Sequence, residues 1–132
     1  MILLWIDDIR NPLDDWAERY APFRPDEIVW AKNYDDVVAF LIEKGCPDEV
    51  CFDHDLGEVG ENERNGMTCA KAIINYCVDH NIDAPAYNIQ SFNPVGRENI
   101  RSIIDGWHQF YINNKKRISN ENNTTYNTQS TS

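Results

Sequence analysis

Positive charge is scarce in this sequence. Twelve Lys and Arg stand against 22 Asp and Glu in 132 residues, a formal net charge of −10. The shortage is sharper in the body, where residues 1–113 hold 9 bases and 21 acids, a net −12. Such a surface repels nucleic-acid backbones and anionic membranes, which argues against duplex DNA as a partner. Long apolar runs are missing too. None approaches the ~20 residues that span a bilayer, so no membrane role is expected. The opening Met1–Ile6 is apolar but short for a signal-peptide core, has no basic leader and meets acids at once. It reads as a buried first strand. The four cysteines, Cys46, Cys51, Cys69 and Cys77, lack any Cys-x-x-Cys spacing. They read as small buried hydrophobes in a reducing cytoplasm rather than as disulfides or thiolate metal ligands. There is no P-loop, no legible Ser-His-Asp or Cys-His set, and no internal repeat.

What remains fits one domain of alternating strands and helices. Strands are predicted at 2–6, 27–31, 49–53 and 86–90. Asn11-Pro12 opens a short helix, with Asn11 as N-cap and Pro12 at the first helical position. Further helices are predicted over 34–44, 67–78 and 96–111, carrying apolar residues at helical spacing. Gly57 to Gly66 is polar, acidic and glycine-rich, and reads as a loop that could serve as a lid. A break at Gly106, with 107–112 as a fifth strand, is the alternative to a continuous last helix. From Asn114 to Ser132 the chain is mostly Asn, Thr and Ser, which predicts a disordered polar tail behind a domain spanning 1–113. The fold class is α/β, a doubly wound parallel sheet of four or five strands.

Chemistry gathers at three predicted strand ends. Asp7 and Asp8 follow the first strand, Asp53, His54 and Asp55 end the third, and Ser91 and Asn93 end the fourth. In a parallel sheet these ends meet in one crevice, where open α/β folds bind ligands. Carboxylates gathered that closely are held by a cation or give up a charge. Asp7, Asp8, Asp53 and Asp55 are therefore candidate ligands for Mg²⁺ or Mn²⁺, hard ions that prefer oxygen donors. Both members of the first pair reach one ion only if the backbone turns there. Ser91, Asn93 and Arg97, beside a predicted helix start, are candidate phosphate contacts. Metal and anion grips side by side suit a phosphoryl group. Asp53, His54 and Asp55 form the candidate catalytic set, with His54 able to move a proton near neutral pH.

These motifs resemble the receiver domain of response regulators, and more closely an offshoot, the cyclic-phosphate processing receiver domain. The matching blocks are Ile6 to Pro12, Phe52 to Gly57, and Ser91 to Asn99. The resemblance spans residues 2 to about 111. It implies a receiver-like, flavodoxin-type sheet. It also implies action on a cyclic phosphate, either a cyclic nucleotide signal or a 2′,3′-cyclic RNA end, in phage–host conflict or RNA processing. A metal-dependent hydrolase is the leading expectation. The alternatives are a module that sequesters the ligand uncut and a switch phosphorylated on Asp53. The site would then work in the cytoplasm, that of a bacterial host if the chain is phage-encoded. Two departures stand out. Ordinary receivers end a fifth strand in a phosphate-contacting Lys, whereas Lys115 and Lys116 here fall at the edge of the tail. Members of the offshoot often carry His just before the Ser, where this chain has Gln90.

Overall fold

A computed structural model describes residues 1–8, 11–12, 26–53, 65–90 and 94–131, with side chains as far as Arg117. Four strands, β1 (Ile2–Ile6), β2 (Glu27–Ala31), β3 (Glu49–Phe52) and β4 (Ala86–Ile89), form one sheet. Its order is β2-β1-β3-β4 and every pairing is parallel. The helices are α1 (Tyr34–Lys44), α2 (Gly66–His80) and α3 (Pro94–Thr131). The receiver-like α/β architecture expected from the sequence is therefore present.

β1 lies centrally and shows why a parallel sheet forms. Leu3, Leu4, Trp5 and Ile6 are all fully buried, so the strand is apolar on both faces. Leu4 and Ile6 join Val50, Phe52 and Ile89 in a cluster with Val37 and Leu41 of α1, Ile73 of α2, and Ile100 and Ile104 of α3. Leu3, Trp5 and Cys51 form a second cluster, packed with Ile28 and Trp30. Burying each such large apolar side chain stabilises the fold by about 1.5–3 kcal/mol.

Side-chain chemistry sets the helix ends. Asn33 accepts the Asp36 amide at 2.9 Å and starts α1. Gly45 ends it with φ of 81°, a backbone that side chains resist, and an added Cβ would lie 2.9 Å from the Tyr76 hydroxyl. Asn65 and Thr68 form a reciprocal capping box at the start of α2. Gly66 consequently belongs to the helix rather than to the loop expected to end there. The short helix expected after Asn11 and the loop over 57–64 lie outside the described residues.

The last helix departs most from expectation. It starts at Pro94, passes Gly106 without a break and stays helical to Thr131, so 107–112 form no fifth strand. Ile100 and Ile104 are buried before Gly106, and the Trp107 indole just after it donates to Ile82 O at 2.9 Å. These anchors hold one helix face through the glycine. The segment expected to be a polar tail from Asn114 carries helical backbone as far as Thr131.

Candidate functional site

The site follows from strand register. Ile6 pairs with Phe52, and Phe52 with Ile89, so the next residues, Asp7, Asp53 and Gln90, emerge side by side at the carboxyl edge. The ladder continues one step beyond the strands. Asp53 N donates to Ile6 O at 2.9 Å, Gln90 N to Phe52 O at 2.9 Å, and Asp7 N to Ala31 O at 3.1 Å. Rigid backbone, rather than loop, thus places these three side chains.

Asp7, Asp8 and Asp53 each present a carboxylate oxygen, and these atoms all lie within 4.8 Å of one another. The chain bends at Asp8, the turn that two adjacent acids need in order to face one point. Asp7 is buried, while Asp8 and Asp53 are half-buried. Three acids this close repel strongly where water is partly excluded. A divalent cation removes that repulsion, and an all-oxygen donor set suits Mg²⁺ or Mn²⁺. The donor chemistry and spacing therefore fit such an ion.

Asp7 is fixed by two further contacts. The buried Gln90 amide donates through Nε2 to Asp7 Oδ2 at 3.2 Å. The Trp30 indole Nε1 donates to Asp7 O at 2.7 Å. Lys32 lies over the same indole, with Nζ 4.4 Å from the ring centroid. Gln90, marked in the sequence only as a departure from the His of relatives, thus stands against a candidate ligand. Trp30 was not legible as part of the site, because a strand tryptophan reads as core.

The other candidates divide. Arg97 occupies the first turn of α3, which begins only a few residues beyond β4 and so stands at the same edge of the sheet. It is exposed and makes no ion pair among the described residues. Among the described residues, the two nearby carboxylates in sequence, Glu98 and Asp105, have other partners. Glu98 lies 4.0 Å from Arg101, and Asp105 accepts the Tyr87 hydroxyl at 2.7 Å. Pro94, Arg97, Glu98 and Arg101 line a shallow hollow of about 320 Å³. His54, Asp55, Ser91 and Asn93 lie outside the described residues. His108 bonds through Nδ1 to Asp83 Oδ1 at 2.7 Å. His80 stacks on Tyr76 at a centroid distance of 3.9 Å. Both serve the framework.

Comparison with known proteins bears on the fold and the family. No curated protein matches. A solved fusion containing the yeast Spc42 trimeric coiled coil is similar, with a TM-score of 0.53 at 18% identity over 96% of this chain and 94% of that one. That likeness is one of backbone shape alone. Residues 2–106 match the family model of the cyclic-phosphate processing receiver domain. That interval holds all four strands, the three acids and Arg97. The chain therefore belongs to the cyclic-phosphate processing receiver domain family.

Proposed function

We propose that this protein binds a divalent metal at Asp7, Asp8 and Asp53 and acts on a cyclic phosphate delivered to the same edge of the sheet. The observation that carries the proposal is the convergence of the three carboxylates, within 4.8 Å, in a chain of this family. A bound Mg²⁺ or Mn²⁺ would supply charge neutralisation and polarisation of a phosphoryl oxygen. Asp55, two residues past Asp53, is the fourth proposed ligand. Arg97 and the first-turn amides of α3 would hold the phosphate, with Ser91 and Asn93 joining them from the β4–α3 connection. Asp53, His54 and Asp55 form the proposed catalytic set, and His54 is the candidate to carry a proton. The ligand class is a cyclic nucleotide or a 2′,3′-cyclic RNA end, and ring opening by water is the proposed reaction.

One observation favours a second reading, capture without cleavage. The side chain held against Asp7 is the Gln90 amide, which orients a carboxylate but cannot exchange a proton near neutral pH. Incubation with a panel of cyclic mono- and oligonucleotides and a 2′,3′-cyclic RNA end separates the two. Mass analysis with Mg²⁺, Mn²⁺ or EDTA reads the outcome. Ring-opened product that requires metal and vanishes in Asp53→Ala supports the hydrolase. Metal-dependent binding with ligand recovered intact supports capture. Acetyl phosphate labelling of Asp53, with neither effect, would establish a phosphorylated switch instead.

A further inference from the structure

A second chemical feature lies at the opposite end of the sheet and is independent of the acidic site. Cys46 sits in the turn between α1 and β3, and Cys77 in the last turn of α2, yet their sulfurs are 3.7 Å apart. The approach is built by the fold. Gly45 packs against the Tyr76 hydroxyl, so two consecutive residues of the turn meet two consecutive residues of the helix. The α2 end is itself fixed, since Ile82 N donates to Cys77 O at 3.0 Å and Asn81 adopts a left-handed cap.

We propose that Cys46 and Cys77 are a thiol–disulfide modification site, closed by peroxide and reopened by dithiol reductants. The two thiols are not equivalent. Cys46 is half-buried, and its other polar contact is from Sγ to Pro47 O at 3.4 Å. Cys77 is buried. A hydrogen bond from Cys77 favours the Cys46 thiolate and pushes that thiol down, while the same contact and burial push Cys77 up. Cys46 is thus the sulfur that a peroxide meets first. Its thiolate attacks the O–O bond, giving a sulfenic acid and releasing water after protonation. Cys77 then displaces hydroxide from that sulfur, which leaves as a second water with the Cys77 proton. The sulfurs close to the about 2.05 Å of a disulfide, and the peroxide is reduced by two electrons overall. Cys51 and Cys69 are buried bystanders, and burial holds the Cys51 thiol up at about 12.

The full folded chain, treated with hydrogen peroxide, then unfolded and alkylated, tests this. The expected product is a monomer lighter by two hydrogens, with Cys51 and Cys69 alkylated and a peptide pair joining Cys46 to Cys77. Dithiothreitol restores all four thiols. Cys46→Ser and Cys77→Ala each abolish the cross-link, and unfolding before oxidation scatters the pairing. Four alkylatable thiols after treatment, a different or intermolecular pair, oxygen addition without a cross-link, or equal pairing in denaturant would each overturn the proposal.

Discussion

At the scale of single residues, Asp7 and Gln90 matter most. Asp7 is buried beside two other acids, and its carboxylate accepts a hydrogen bond from the Gln90 amide at 3.2 Å. Groups that orient a metal ligand commonly contribute 10- to 100-fold in affinity. Gln90→Ala is therefore expected to weaken Mn²⁺ binding by about tenfold or more in a calorimetric titration. Unchanged affinity would show that Gln90 plays no part in the proposed centre. Glu49 makes a separate prediction. It begins β3, and burial pushes its carboxyl above the ordinary value of 4.5. The folded state then holds that proton more tightly than the unfolded chain. Its contribution is fully present below the ordinary glutamate value and is lost as pH rises through the raised one. Denaturation midpoints across pH should show Glu49→Gln flattening this decline, and an identical pH profile in the variant would contradict the assignment.

At the scale of elements, apolar spacing made most of the fold legible and polar chemistry blurred its ends. The strands at 2–6 and 27–31 and the helix at 34–44 keep the bounds that their sequence predicts. Asp53 and Gln90, expected as the last residues of their strands, lie one step beyond them, and that step puts them at the site. The end of α3 was not legible because Asn, Thr and Ser carry no apolar stripe to reveal a helix. The break expected at Gly106 reflects backbone cost alone, whereas Ile100, Ile104 and Trp107 anchor the helix on either side. Nothing lies within 4 Å of where a Cβ at Gly106 would stand. Gly106→Ala should thus stabilise the protein by about 0.5–1 kcal/mol in chemical denaturation. A loss of stability there would mean that the helix does not run continuously through this position.

At the scale of the molecule, the parallel sheet converts scattered acids into one site. Asp7 and Asp53 are far apart in sequence, and only the β1–β3 register makes them neighbours. The strand-end rule made that convergence legible. The Gln90 contact, the Trp30 anchor and the Cys46–Cys77 approach were not, because each depends on how neighbouring elements pack. The net charge of −10 sharpens the reading. An acidic body attracts a divalent cation but repels a phosphate, so metal should come first and phosphate should bind only to the loaded protein. Binding of a single Mn²⁺, followed by the electron paramagnetic resonance of the free ion, tests the central claim most directly. The account predicts that the full chain takes up one ion, that Asp7→Asn and Asp53→Asn lose it, and that Asp48→Asn, an exposed acid at the other end of β3, retains it. Equal Mn²⁺ uptake by all four proteins, or none by the unsubstituted chain, would contradict it.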